Sequence, residues 1–571
     1  MVNKPIRGAG APAGQGAAGR SPGPALAGRR FSADRVLAVT GRFWALQLLL
    51  FCLGAFVLFF PILGRTFASD DFEVMRRVGM GDFRTPGFFR PLSDLSLYVN
   101  YLLGAFGPAG YYAFNILVHG VNSWLVCLFC RKWIWAGKQS RQDSYALLAG
   151  LLFLCYPFHN EGIAWILGRG ASLSTLFGLA TLVVLVNDGS RGRRAIWGGV
   201  FYFIGMMAYE PVILLPLMCY ILLWVREARR KEMIRWGVAL GVALLLHLAL
   251  RVVFSGGVLG QYERNFFGSG WRQYAGNVGK VTARLLLPPT DHTGVLLAGA
   301  LVLLGVFAVA LVVFFRRTGR DRLRAGVGRG EQHDWIDRLD RMDRRRQRRY
   351  LGALFLLWCV SVIVPVVSAV STRTSESDRL LYFPSVFVCC ILSYLLVLLV
   401  SDGRWVAVSS VLLLFYMICF LEKNNSNWVR ASDITRDILT VAARQPAGAK
   451  IFVIDLPDER DGAYIFRLGF PQALLMEGRD TAGLVVVSHL KREQWLAEPD
   501  SIVVGRVGGA APGTEVTGAA GIELRISPGT RIRRWGVDSV EIENDGHSWL
   551  AGKGDRVLYW DKKGLRELAL P

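Results

Sequence analysis

Apolar positions along this chain come in long blocks rather than in alternation. Runs approaching the length a helix needs to cross a bilayer recur near 43–63, 111–130, 144–157, 171–187, 195–208, 212–225, 236–255, 294–315, 350–370, 380–400 and 405–421. The pattern predicts about eleven transmembrane helices. The two short runs on either side of Tyr209-Glu210-Pro211 read as hinged spans, because proline interrupts a helix. The texture changes near residue 450. Lys450-Ile451-Phe452-Val453-Ile454 and Leu484-Val485-Val486-Val487 read as buried strands, with a helix predicted over 463–476 between them. Runs at 522–526, 540–542 and 556–560 read as short strands separated by Gly, Pro and Asp turns. The predicted fold class is a polytopic α-helical membrane protein with a small C-terminal α+β domain.

Composition agrees with the pattern. Of 571 residues, 52% are hydrophobic and the mean hydropathy is +0.35, which excludes an ordinary soluble globule. The net charge of +22 points toward nucleic acid until its distribution is read. Basic residues crowd into the N-terminal tail (Arg20, Arg29, Arg30, Arg35, Arg42) and into loops at 131–141, 191–194, 226–235 and 316–349. These loops alternate with acidic or neutral ones, as the positive-inside rule requires of a chain whose N-terminus is cytoplasmic. No nucleic-acid partner is expected. The 316–349 loop also carries Asp334, Asp337, Asp340 and Asp343, which suits a salt-bridged cytoplasmic segment that touches anionic lipid.

Three parts follow from this. Residues 1–40, rich in Gly, Ala, Pro and Arg, are expected to form a disordered cytoplasmic tail; 41–421 form the transmembrane domain; 422–571 form an extracytoplasmic α+β domain. The first apolar run lacks a convincing small-residue cleavage site and reads as an uncleaved anchor. All nine cysteines lie at or before Cys419, so no disulfide framework is expected in the C-terminal domain. No nucleophile constellation, zinc spacing or phosphate loop is present in that domain.

Candidate chemistry clusters at helix ends that this topology sends to one face. Ser69-Asp70-Asp71-Phe72 follows the first span directly, in the first outer loop at 64–110. Two adjacent carboxylates beside a membrane repel one another and resist ionisation, a cost that suggests use. Their alternative role is to cap a helix beginning near Phe72. Next come Phe89-Arg90-Pro91-Leu92, an interfacial helix predicted over 92–106, and Gly110-Tyr111-Tyr112 through Asn115 and His119. A second loop reads Tyr156-Pro157-Phe158-His159-Asn160-Glu161-Gly162-Ile163-Ala164-Trp165 with Gly168-Arg169. Tyr209-Glu210-Pro211 forms a third turn, and Asp378-Arg379-Leu380-Leu381-Tyr382-Phe383-Pro384-Ser385 opens a late span. Arginines interleaved with acids on one face are what an anionic headgroup needs.

In that order, these motifs resemble the GT-C superfamily of polytopic glycosyltransferases, which take sugars from polyprenyl-phosphate carriers. Within it, the chain is similar to bacterial relatives of the protein O-mannosyltransferases and of the transmembrane, tetratricopeptide-repeat mannosyltransferases. The resemblance covers roughly residues 40–430. It departs from the pattern in three places: no repeat array follows the last span, Asn160 stands where a small hydroxyl residue is expected, and Ala171-Ser172 stands where an acid often follows Gly-Arg.

The resemblance implies transfer of a sugar from a polyprenyl-phosphate donor to an acceptor hydroxyl on a protein or glycan, at the outer face of a bacterial inner membrane. A first-loop acid, Asp70 or Asp71, would take the acceptor proton, and Arg90, Arg169, Arg379 and Tyr382 would hold the donor phosphate. His159, Glu161, Glu210 and Asp378 would support the site. The reaction would be a single inverting displacement with no cofactor and no metal, although Asp70, Asp71 and Glu161 offer oxygen ligands to a divalent cation. Partners would be membrane lipid, the donor and the acceptor, with the oligomeric state left open. Two other classes compete. A flippase for a lipid-linked glycan would need charges or broken helices at mid-membrane, and a non-catalytic scaffold would use the exported domain for binding.

Overall fold

A computed structural model of the chain describes residues 44–83, 88–133, 139–187, 190–257, 270–292, 349–399, 403–491 and most of 523–568, with four isolated positions between 294 and 301. The predicted N-terminal tail, the 294–315 span and the 316–349 loop lie wholly or almost wholly outside these residues. Among the described residues the membrane part is built from helices, since a backbone in hydrocarbon must satisfy its own hydrogen bonds. Its helices are α1 (Trp44–Leu58), α2 (Asp71–Gly79), α3 (Pro91–Gly104), α4 (Pro108–Trp133), α5 (Gln139–Leu154), α6 (Asn160–Ala164), α7 (Arg169–Val186), α8 (Arg191–Met206), α9 (Leu215–Val225), α10 (Arg230–Ser255), α11 (Trp271–Arg284), α12 (Arg349–Ser368), α13 (Tyr382–Leu399) and α14 (Gly403–Ala443).

Every predicted span except 294–315 falls on one of these helices. By length and hydropathy, six segments among the described residues are long and apolar enough to cross a bilayer: Pro108–Trp133, Arg169–Val186, Arg230–Ser255, Arg349–Ser368, Asp378–Val397 and Arg404–Ala443. Trp44–Leu58, Gln142–Leu154 and Glu210–Val225 are shorter apolar helices. Burial sorts them. The apolar windows of α4, α7 and the Asp378–Val397 segment are 67–72% buried inside the protein, whereas those of α10 and α14 are 22% and 11% buried. The first group is the packed core, and the second turns Val238, Leu245, Val253, Trp405, Val411 and Phe415 outward, as a lipid-facing helix does.

A single helix crosses the boundary expected at 421. Helix α14 does not end with its apolar run; it continues unbroken to Ala443. Its polar extension is fastened to the bundle by side chains. Asn424 donates to the Pro157 carbonyl at 2.6 Å, Asn425 to the Leu58 carbonyl at 2.8 Å, and Asn160 to Asn425 Oδ1 at 2.5 Å. Buried amides paired in this way carry the helix past the point where hydropathy fails.

Beyond α14 lies a sheet domain. Strand Ile451–Ile454 sits between Leu484–Val486 and Arg556–Trp560, parallel to both, and Leu565–Leu568 pairs antiparallel on the far edge. All four residues of Ile451–Ile454 are buried, as in a parallel strand covered on both faces. Strands Glu523–Ser527, Thr530–Trp535, Ser539–Asn544 and His547–Ala551 form an antiparallel sheet. The helix predicted over 463–476 is shorter. Ala463–Tyr464 pairs as a strand with Glu459–Arg460, and the helix spans only Phe470–Met476 (α15). Gly469, with φ +80°, cannot continue a helix, and Pro471 starts the new one.

Candidate active site

The two adjacent aspartates have different surroundings. Asp71, the first residue of α2, is fully buried. Its Oδ2 accepts the Ala68 N–H at 3.1 Å and its Oδ1 the Leu167 N–H at 3.2 Å, so it ties the first outer loop to the loop before α7. Burial is the main cause that pushes its carboxyl up to about 7, against the two amide hydrogen bonds and the nearby Arg65. Asp70 is only half-buried. Its Oδ1 accepts the Ser69 hydroxyl at 2.7 Å, and Ser69 itself has a left-handed backbone, φ +50°. One acid is committed to backbone amides and its neighbour is reachable.

Glu210 lies between two arginines. Its Oε2 pairs with Arg90 Nη2 at 3.0 Å and its Oε1 with Arg251 Nη1 at 3.1 Å. The Tyr209-Glu210-Pro211 turn is extended at Tyr209 and becomes a single 3-10 turn from Glu210, which aims the carboxylate inward. The Arg90 guanidinium stacks over the rings of Phe88 and Tyr209, each 4.5 Å away. A quarter of the Arg90 side chain stays exposed, against 5% of Arg251.

Glu161 is fully buried and holds Arg379 from two sides. Its Oε2 accepts the Arg379 backbone N–H at 2.8 Å, and its Oε1 accepts both Arg379 Nη1 and the Tyr464 hydroxyl, the latter at 2.7 Å. Arg379 lies 5.0 Å over the Trp165 ring with Tyr209 nearby, and 29% of its side chain stays exposed. Gly168 makes this approach possible: a Cβ there would collide with the Glu161 carbonyl oxygen. Through Tyr209, which faces both Arg90 and Arg379, the two arginine groups share one wall.

Four predicted site residues are placed inside the protein rather than at this wall. Arg169 is fully buried and braces three helices, donating to Asn100 Oδ1 at 2.7 Å, Ser96 Oγ at 3.3 Å and the Tyr111 carbonyl at 3.1 Å. Tyr382, also fully buried, meets His119 Nδ1 at 2.7 Å and accepts from Asn122 at 3.3 Å. His159 stacks on Tyr382 with ring centroids 4.3 Å apart and meets Ser385 Oγ at 2.7 Å; burial holds its imidazole well below the ordinary value, so it is neutral. Asp378 forms a buried bidentate pair with Arg284 at 2.6 and 2.7 Å. Arg169 and Tyr382, expected to hold phosphate, are both fully enclosed here.

Sequence reading missed Arg65, Arg284 and Tyr464. Arg65 is buried between the rings of Tyr112 and Trp428, donates to the Ala164 carbonyl and lies close enough to Asp71 to stabilise its charge. Its position directly before Thr66 and the aspartates was a usable signal. Tyr464 belongs to the sheet domain and had none. No group of three or more His, Cys, Asp or Glu side chains among the described residues comes together to hold a metal ion. Asp71 and Glu161 have already committed their oxygens to amides, Arg379 and Tyr464, which removes most of the expected cation ligands.

No protein-family model matches the chain. It is similar to the protein O-mannosyl-transferase TMTC3 of Homo sapiens, 28% identical over 118 residues, which cover 21% of this chain and 12% of that protein. It is also similar to the protein O-mannosyl-transferase tmtc2 of Xenopus laevis, 36% identical over 95 residues (17% and 11%). The protein O-mannosyl-transferase Tmtc1 of Drosophila melanogaster is 40% identical over 88 residues (15% and 10%). The aligned stretches thus span only about a tenth of these relatives' length. Among solved structures, ArnT from Cupriavidus metallidurans bound to undecaprenyl phosphate aligns with a TM-score of 0.40 at 13% identity, covering 75% of this chain and 84% of that one. The arabinofuranosyltransferase AftD from Mycobacteria aligns with a TM-score of 0.39 at 12% identity, covering 78% and 31%.

Proposed function

We propose that this chain is a membrane glycosyltransferase that moves a sugar from a polyprenyl-phosphate carrier to an acceptor hydroxyl at the outer face of a bacterial inner membrane. The observation that carries the reading is the pairing of a reachable carboxylate, Asp70, with partly exposed arginines at the same end of the bundle. The named mannosyltransferase relatives favour the same chemistry.

In this reading Asp70 accepts the proton of the acceptor hydroxyl as its oxygen attacks the anomeric carbon. The bond from that carbon to the phosphate oxygen breaks, and the electron pair leaves on polyprenyl phosphate. Attack opposite the leaving group inverts the anomeric centre. Arg90 and Arg379 take up the charge that develops on the departing phosphate, since a planar guanidinium donates two parallel hydrogen bonds and stays protonated. Glu210 and Glu161 hold these arginines by one edge each. Asp71 anchors the loop that carries Asp70. Arg169, Tyr382, His159 and Asp378 serve as the packed support beneath.

Lipid mass spectrometry on cells carrying wild-type protein or Asp70→Asn tests the reading. Accumulation of one polyprenyl-phosphate sugar in the variant is the expected result and identifies the donor. An unchanged lipid profile with the folded variant present would favour a flippase or a scaffold instead.

A further inference from the structure

One stretch of the sheet domain, residues 463–470, touches the candidate site at two separate points. At the first, the Ile465 carbonyl accepts the Ser69 N–H at 2.8 Å, and Ser69 Oγ accepts the Leu468 N–H at 3.2 Å while donating to Asp70 Oδ1 at 2.7 Å. Gly469, in the left-handed region, lies so close that a Cβ would strike the Ser69 carbonyl oxygen. The Phe466 ring stacks on Phe72, centroids 5.8 Å apart. Ser69 is therefore held, just before Asp70, in a left-handed conformation that a free loop would leave.

At the second point, Tyr464 reaches Glu161. Its ring packs edge-on against Trp165 and Trp428, with centroids 5.1 and 5.7 Å away. Burial pushes its hydroxyl well above the ordinary phenol value, so it remains a donor. The same hydroxyl accepts from Arg379 Nη1 at 3.4 Å, so Tyr464 meets both members of the Glu161–Arg379 pair. Arg467 locks the stretch in place through Glu376 at 2.7 Å and Glu459 at 3.2 Å.

We propose that residues 463–470 are a positioning element of the active site: Tyr464 sets Arg379 through Glu161, and the Ile465–Gly469 backbone sets Asp70 through Ser69. This inference rests on the transferase reading. Base and phosphate-binding arginine come from loops about 300 residues apart, and one docked segment fixes the distance between them. Tyr464 acts through Glu161 and Arg379, and Ser69 acts through Asp70.

The experiment uses the full chain in lipid nanodiscs, with undecaprenyl phosphate as the binding probe. Tyr464→Phe keeps the ring and removes only the hydroxyl. It is expected to weaken undecaprenyl phosphate binding and raise the donor KM by roughly tenfold, with kcat and Tm little changed. Gly469→Ala is expected to lower kcat by roughly tenfold or more while probe binding is kept. Should that variant fail to fold, Ser69→Ala removes the hydroxyl that joins the Leu468 N–H to Asp70 Oδ1 and is expected to show the same split. Wild-type binding and kinetics in these variants, or losses that merely follow Tm, would overturn the proposal. The probe-binding measurement needs no turnover. An unchanged lipid profile in the folded Asp70→Asn variant would thus count against the transferase reading, while probe binding by Tyr464→Phe still judges the positioning element independently.

Discussion

The Tyr464 hydroxyl donates to Glu161 Oε1 at 2.7 Å across a sequence separation of 303 residues. Through this contact the sheet domain joins the carboxylate that holds Arg379, so the domain is part of the site's wall rather than an appendage to the helix bundle.

The unequal burial of the adjacent acids predicts unequal mutants. Asp70→Asn should lower transfer by roughly 10²–10⁴-fold, as expected for loss of a general base, while thermal stability is kept. Asp71→Asn sets an NH2 group against either the Ala68 or the Leu167 amide. It should loosen the 68–71 turn, read as faster amide exchange there, with a smaller loss of transfer. Equal loss of transfer in both variants with no change in exchange would contradict this division.

Asp71 also predicts a pH dependence of stability. Its folded-state value of about 7 lies above the ordinary 3.8, so the folded chain binds this proton more tightly than the unfolded chain. Stability from this group is therefore fullest below about pH 4, falls as pH rises toward about 7, and changes little above that. Unfolding followed across this window should show the decline in wild type and its absence in Asp71→Asn. A slope shared by both proteins would assign the effect elsewhere.

The two arginines on Glu210 should respond differently. Arg90 keeps a quarter of its side chain exposed, so Arg90→Ala should raise the donor KM by roughly tenfold or more with a modest change in Tm. Arg251 is nearly buried. Arg251→Ala should cost about 3 kcal/mol of stability by leaving Glu210 with one partner fewer in a desolvated place. Donor titrations and thermal melts of the two variants separate these outcomes.

Asp378 predicts a purely structural phenotype. Removing it strands Arg284, whose side chain is 0% exposed, and Asp378→Ala should destabilise the protein by about 3–5 kcal/mol. Replacing both partners with apolar residues of similar volume should recover much of that loss. A stable Asp378→Ala protein lacking only transfer would instead put Asp378 at the reacting donor.

Block hydropathy and motif order carried the helical membrane class and the positions of the apolar helices within the described residues, and singled out Asp70, Arg90, Glu161, Glu210 and Arg379 as candidates. These features are local: a helix in lipid needs a continuous apolar run, and a charge at its end is conspicuous in one dimension. Folding settled the rest. Asp70 and Asp71 are identical in type and adjacent in the chain, yet Asp71 is fully buried against the Ala68 and Leu167 amides while Asp70 keeps an open side. Arg169 and Arg379 read alike as headgroup cations, yet one is enclosed by α3, α4 and α7 and the other keeps an open side. The extension of α14 to Ala443 rests on buried asparagines that hydropathy scores as polar. Tyr464 carried no signal at all, because its partner lies 303 residues away and a lone tyrosine in a sheet domain has no periodicity to betray it. Burial and long-range hydrogen bonds belong to the packed chain, and a linear pattern does not encode which distant groups will exclude water together.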